Sequence, residues 1–252
     1  MNRIIFITGA TSGIGKACAE KFAEAGDHLI INGRRQERLD ELMKSLQSKY
    51  NIDILSAPFD VQNREEVFNA INSLTGKWKQ VDILINNAGL ALGREYFDEA
   101  SIGDWETMIQ TNINGLLYVT RAVIPSMISK KDGHIINLGS IAGDDVYEKG
   151  NVYCASKSAV EVISRSMRID MLRHGIRVTN VKPGAVETEF SLVRFKGDEA
   201  KASKVYDGFT PLTGADIAGI IFYCASLPRN MCINEIEITP VAQANGIFFN
   251  RK

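Results

Sequence analysis

Residues 4–15 read Ile4-Ile5-Phe6-Ile7-Thr8-Gly9-Ala10-Thr11-Ser12-Gly13-Ile14-Gly15, a stretch with a strand, a glycine-rich turn and the start of a helix in twelve residues. Its first four residues form a short apolar run of the kind that a parallel strand buried on both faces requires. From Ile14 the period changes: Ile14, Ala17, Cys18 and Phe22 recur at helical spacing until Gly26 ends the segment. Between strand and helix, Gly9, Gly13 and Gly15 let the chain turn sharply and bring its backbone close to a ligand with no Cβ in the way. The helix that follows points its free N–H groups and the positive end of its dipole at the turn, an arrangement suited to a pyrophosphate. The glycines are spaced G-x-x-x-G-x-G, wider than the usual dinucleotide fingerprint, and such a turn also serves purely structural ends.

The same alternation continues outward from that stretch. Apolar runs predict strands at 3–8, 28–33, 52–57, 82–86, 133–138, 176–181 and 235–239. Helical periodicity predicts helices at 14–25, 36–49, 63–74, 102–129, 153–174 and 216–226, the fourth interrupted near Asn112. Strands alternating with helices imply right-handed crossovers and therefore an α/β fold, a doubly wound parallel seven-stranded sheet with helices on both faces. Strand order reverses after the third strand. Neither a linker nor a repeat divides residues 1–252, which read as one domain. One region breaks the rhythm: the connection 184–215, containing Arg194, Phe195, Lys196, Gly197 and Gly208, is long enough to be a lid over a ligand.

Composition narrows the function classes. The chain has 252 residues, 45% of them hydrophobic and 23% charged, with a net charge of −1. With a pI near 6.3, this gives no electrostatic support for nucleic-acid binding. No apolar stretch reaches membrane-spanning length, and the apolar N-terminal run is too short for a signal sequence. Cys18, Cys154, Cys224 and Cys232 lack the close pairing of a metal site, so no metal is expected, and four cysteines would make a sparse disulfide framework. The expected compartment is the cytoplasm. His28, His134 and His174 are scattered at expected strand and helix ends and read as structural.

The chemistry lies further along. Tyr153 and Lys157 are four residues apart on one helix face, and Ser140 follows the strand 133–138 at the sheet edge where ligands of such folds bind. A phenol has an ordinary pKa of about 10, so it needs help to exchange protons at neutral pH. The Lys157 ammonium favours the tyrosinate. Tyr153 can then act as general acid in carbonyl reduction and general base in alcohol oxidation, with the Ser140 hydroxyl holding the substrate oxygen beside it.

Thr8-Gly9-x-x-x-Gly13-x-Gly15, Asp60, Asn86-Asn87-Ala88-Gly89, Asn112, Ser140, Tyr153-x-x-x-Lys157, and Pro183-Gly184 followed by Thr188 occur in the order of the short-chain dehydrogenase/reductase family, which the chain resembles over essentially its whole length. The resemblance implies a Rossmann-type domain and a nicotinamide cofactor. It implies that Lys157 also binds the nicotinamide ribose and that the backbone of Asn112 holds a water linking the lysine to solvent. It places Gly9, Thr11, Ser12, Gly13, Ile14 and Gly15 around the phosphates, Asp60 and Val61 beside the adenine, and Asn87, Ala88 and Gly89 along the adenosine side. Pro183, Gly184, Val186 and Thr188 fall toward the nicotinamide.

Cofactor choice rests on the second strand. Where an NAD enzyme places a carboxylate for the ribose hydroxyls, this chain has Gly33-Arg34-Arg35, and Asp27 precedes the strand. A guanidinium pairs bidentately with a 2′-phosphate, so NADP is expected, with Arg34 and Arg35 as its discriminators. Many NADP-dependent relatives carry a second basic residue where this chain has Ser12.

Three stretches, Asn32-Gly33-Arg34-Arg35-Gln36-Glu37-Arg38-Leu39, Asn87-Ala88-Gly89-Leu90-Ala91-Leu92-Gly93, and Thr188-Glu189-Phe190-Ser191-Leu192-Val193-Arg194-Phe195-Lys196-Gly197-Asp198, are similar to NADP-dependent 3-hydroxy acid dehydrogenases. That likeness implies a short 3-hydroxy acid such as serine, allo-threonine or 3-hydroxypropionate as substrate. Arg194 is then either a clamp for the substrate carboxylate or part of a salt bridge fixing the lid. A reductase of 3-oxoacyl thioesters, diketones or sugars is the alternative enzyme, and a non-catalytic NADP-binding regulator the alternative class. The family further implies a homotetramer built through 102–129 and 153–174, where Val119, Val123, Met127, Val160 and Ile163 supply apolar positions that core packing also explains.

Overall fold

A computed structural model describes residues 2–252. Seven parallel strands form the central sheet: β1 (Ile4–Ile7), β2 (His28–Gly33), β3 (Ile54–Pro58), β4 (Ile83–Asn86), β5 (Gly133–Leu138), β6 (Ile176–Pro183) and β9 (Glu235–Ile238). Their spatial order is β3-β2-β1-β4-β5-β6-β9, so the winding reverses between β1 and β4. Ile5 pairs with Leu29 on one side and Ile83 on the other. Crossovers run outward from these two strands, which leaves a crevice at their carboxyl ends.

All four residues of β1 are buried, as a strand covered on both faces demands. Its alternation divides them. Ile5 and Ile7 pack with Leu29, Ile31, Phe22 and Leu39 beneath helices α1 (Gly13–Glu24) and α2 (Gln36–Lys49). Ile217 and Ile221 of α9 (Gly214–Ser226) complete that layer. Ile4 and Phe6 pack on the opposite face with Val67 of α3 (Arg64–Asn72) and with Val119, Val123 and Met127 of α5 (Leu116–Lys130). Those three apolar positions of α5, and Val160 on α6 (Asn151–Met171), therefore belong to the core and not to a subunit interface. Exposed apolar side chains on these helices are instead Leu117, Val162 and Ile169.

Two expected elements take a different form. The segment 102–129 is not one helix: α4 (Ile102–Ile109) passes into a π-helical stretch, Gln110–Gly115, before α5 begins. Asn112 lies inside that stretch, so the interruption expected there is an inserted wide turn, a feature common at functional sites. The connection 184–215 has secondary structure of its own. It holds the short strands β7 (Val186–Glu187) and β8 (Leu212–Thr213), paired in parallel, with α7 (Phe190–Arg194) and α8 (Glu199–Lys204) between them. Helix α6 begins at Asn151, two residues before the expected start, and gives way to a single 3-10 turn at Leu172–His174.

Candidate active site

The glycine turn is shaped by two positive backbone angles, Gly9 at φ 63° and Gly13 at φ 51°. A Cβ on Gly15 would drive into the Gly9 carbonyl and the Asn87 side chain, so the start of α1 rests directly on the turn. No side chain caps α1 and no acidic residue occupies its first turn, leaving its N-terminal N–H groups for an anion. The turn is locked to the loop after β4. Asn87 Nδ2 donates to the carbonyls of Thr8 (2.9 Å) and Gly9 (3.1 Å), while Thr8 Oγ1 accepts from the N–H groups of Asn87 and Ala88, both at 3.0 Å. One strand deeper, Asn86 Nδ2 donates to Thr120 Oγ1 and Asn137 Oδ1.

From this turn a groove of about 1190 Å³ runs across the carboxyl edge of the sheet. Every residue expected in the cofactor, catalytic or substrate set lines it except Gly15 and Asn112, which support it from behind. At one end are Arg34 and Arg35. The acid nearest to Arg34 is Asp60, whose Oδ2 lies 3.8 Å from Nη1, a loose pair between side chains that remain accessible. Asn32, buried one strand position before Gly33, donates to the carbonyls of Ala57 and Phe59 and so fixes the end of β2 against β3.

At the other end Ser140, Tyr153 and Lys157 converge. Ser140 caps a short 3-10 turn, its Oγ accepting from the Ala142 N–H at 3.1 Å and donating to the Pro183 carbonyl at 3.4 Å. Lys157 Nζ donates to the Leu138 carbonyl at 2.8 Å and lies 6.0 Å from the Tyr153 ring centre. Asn112 braces this arrangement. Its Oδ1 accepts from the Leu90 N–H, and its Nδ2 donates to the Leu90 carbonyl and to Ser156 Oγ, which in turn donates to the Tyr153 carbonyl.

The electrostatics of this end are dominated by burial. Burial raises the Tyr153 phenol above its ordinary value, opposed by the Ser140 hydrogen bond and the Arg194 charge, and Lys157 is not among the causes. Lys157 is itself lowered by burial to about 8. Desolvation thus favours the neutral form of both groups.

Residues of the segment 184–215, the expected lid, line this end. Arg194 donates from Nε to the Gly93 carbonyl (3.2 Å) and from Nη1 to Tyr147 Oη (2.8 Å), and its guanidinium carbon is 5.5 Å from the Tyr153 ring centre. Arg194 forms no salt bridge among the described residues. The ion pairs that fasten the lid are Glu189–Arg38 at 3.2 Å, reaching α2, and Lys196–Asp104 at 2.7 Å, reaching α4. Phe190 leans on Tyr153 with ring centres 5.7 Å apart. Gln243 holds the lid's root by accepting from the Ala185 N–H at 2.8 Å. Sequence reasoning singled out neither Tyr147 nor Gln243: both lie in irregular loops, where no periodicity marks a side chain as inward-facing. Phe190 and Glu189 were visible only as members of a lid-like stretch.

His134 is buried, with Nε2 2.7 Å from Thr179 Oγ1, and burial lowers it to about 3. It lies away from the groove, as do His28 and His174. Among the described residues no cluster of His, Cys, Asp and Glu could hold a metal ion, and no helix is long and apolar enough to cross a membrane.

A glycine turn at the switch point and a Ser-Tyr-Lys set at the far end of the same groove define a class, and residues 3–198 match the short chain dehydrogenase family model. The chain belongs to that family. It is 46% identical over 242 residues to the NADP-dependent 3-hydroxy acid dehydrogenase of Salmonella typhi, covering 96% of each chain. It is 44% identical over 249 residues to sulfoacetaldehyde reductase 2 of Chromohalobacter salexigens, covering 98% of each. Among solved structures it is similar to the closed form of serine dehydrogenase complexed with NADP+, at a TM-score of 0.92 and 45% identity, covering 99% of this chain and all of that one.

Proposed function

We propose that this protein interconverts a short 3-hydroxy acid and its carbonyl form with NADP. The carrying observation is the convergence of Ser140, Tyr153 and Lys157 beneath Arg194, at the opposite end of one groove from Arg34 and Arg35. The groove's volume exceeds that of an ordinary single-ligand pocket and suits a dinucleotide and a small substrate together. The uncapped start of α1 and the glycine cradle fit a pyrophosphate, and Arg34 and Arg35 fit a 2′-phosphate. Bound NADP supplies the hydride donor or acceptor.

The chain's own residues supply the proton and the alignment. Ser140 holds the substrate oxygen beside Tyr153. In reduction the phenol gives its proton to that oxygen, and its raised affinity for the proton keeps it in the donating form. In oxidation it must become a base, which needs positive charge nearby, and Lys157 is the cation on its own helix. Lys157, held toward Leu138, is placed to grip a ribose hydroxyl as well. Arg194 lines the groove with Nε and one Nη committed to Gly93 and Tyr147, and its charge suits a carboxylate or sulfonate head.

We further infer a homotetramer in the cytoplasm. Four free cysteines fit a reducing compartment, and the exposed Leu117, Val162 and Ile169 offer α5 and α6 an apolar contact face.

A panel of serine, allo-threonine, 3-hydroxypropionate and uncharged alcohols, each with NADP and NAD, tests the reading. Turnover should favour the hydroxy acids with NADP, and Arg34→Asp combined with Arg35→Ala should shift the cofactor preference toward NAD. Preference for uncharged alcohols, or an unchanged cofactor ratio, overturns the corresponding half.

A further inference from the structure

Arg94 follows Gly93, the residue to which the lid is zipped. Gly93 donates its N–H to the Arg194 carbonyl at 2.9 Å and accepts from Arg194 Nε at 3.2 Å. This exchange brings two guanidiniums to one ring: the Arg94 carbon is 5.9 Å and the Arg194 carbon 5.5 Å from the centre of Tyr147. The two cations are thus no further apart than the sum of those distances, and both line the groove beside the catalytic end.

Neither arginine has a carboxylate within ion-pair distance among the described residues, although acids are near. Glu148 lines the groove, but its Oε1 accepts from Tyr96 Oη at 2.8 Å, and Lys149 covers the same Tyr96 ring at 4.0 Å, balancing that charge locally. Glu95 folds back over Gly93 and does not line the groove. Two cations at one ring of the cleft wall, neither of them ion-paired among the described residues, favour an anionic ligand there. One carboxylate answers one of them. A substrate with a second acidic group answers both.

We propose that Arg94 is the second cation of a two-cation acid subsite, and that it makes the protein selective for hydroxy dicarboxylates and their oxo forms over hydroxy monoacids. This rests on the reading that the groove takes a hydroxy acid. Arg194 holds one carboxylate beside the catalytic end, and Arg94, more exposed, meets the other.

The test compares 3-hydroxyglutarate with its monomethyl ester, which keeps the shape and removes one charge, using the wild type, Arg94→Ala and Arg94→Lys with saturating NADP. For the wild type, kcat/KM should favour the diacid by at least about tenfold, mainly through KM, and the ratio should shrink as salt is added. In Arg94→Ala the ratio should fall to near one, and Arg94→Lys should restore part of it. Melting temperature and NADP affinity report whether the variants remain folded. A wild-type ratio near one, or a ratio that Arg94→Ala leaves intact, overturns the proposal. If the wild type turns over uncharged alcohols but neither acid, the hydroxy-acid reading itself fails. If it turns over the monoester and Arg94→Ala leaves the ratio intact, only the role of Arg94 fails.

Discussion

Replacing Tyr153 with phenylalanine keeps a ring against Phe190 and removes a single oxygen. Since a general acid contributes roughly 100- to 10,000-fold, Tyr153→Phe should cut kcat by at least about 100-fold. NADP affinity should barely change, and a drop in kcat smaller than about tenfold would falsify the proton-donor role. Lys157 makes a prediction about stability. Burial lowers its pKa from 10.5 to about 8, so between those values the unfolded chain holds a proton that the folded chain lacks. Stability of the cofactor-free protein therefore rises with pH from 8 toward 10.5, and a penalty of about 3 kcal/mol is fully present below 8. Lys157→Met should relieve it, raising the urea midpoint at pH 7 while abolishing turnover, and the gap from wild type should close by pH 10. A constant gap would mean the ammonium is not desolvated. At this scale the sequence exposed what spacing can carry: Ser140, Tyr153 and Lys157 stand at recognisable intervals. It hid what depends on depth, namely the desolvated phenol and the Tyr147 hydroxyl that orients Arg194.

Among the elements, the lid is tied to both banks of the groove, by Glu189–Arg38 on α2 and Lys196–Asp104 on α4. Partly exposed pairs of this kind are worth about 0–1 kcal/mol each. Glu189→Gln combined with Asp104→Asn should therefore leave the fold's melting temperature nearly unchanged while shifting the lid toward open conformations. Faster proteolysis within 184–215 and a higher KM are the expected signs, and equal cleavage rates in variant and wild type would show that Arg194 and Gly93 hold the lid without the ion pairs. The alternation of strand and helix was legible because burial on both faces writes continuous apolar runs such as Ile4–Ile7. The π-helical turn around Asn112 was legible only as an interruption, since extra residues in a turn rotate the apolar face beyond it without showing what form the break takes. Helices α7 and α8 are too short to write a period at all.

At the scale of the whole molecule, the exposed apolar residues of α5 and α6 are where the proposed homotetramer would make contact. Val162 and Ile169 lie seven residues apart on α6, two helical turns along one face, and are 59% and 76% exposed. If the proposed tetramer forms through this face, Val162→Glu with Ile169→Glu should yield smaller species in light scattering, and a monomeric wild type would remove the premise. From sequence, Val119, Val123, Met127 and Val160 carried the same apolar signature. Only the packing distinguishes them, because the hydropathy of an α5 or α6 position does not say which side of the helix meets the sheet.

The lid's fastening has a consequence for isotope experiments. Ion pairs that hold the proposed lid over the cleft should also slow departure of the product, and a slow release step then limits kcat in place of hydride transfer. With deuterium on the transferring carbon of the reduced cofactor, the primary kinetic isotope effect on kcat should be masked in dilute buffer. Added salt should screen Glu189–Arg38 and Lys196–Asp104 and let the effect emerge, moving toward its intrinsic value as the two accessible pairs weaken.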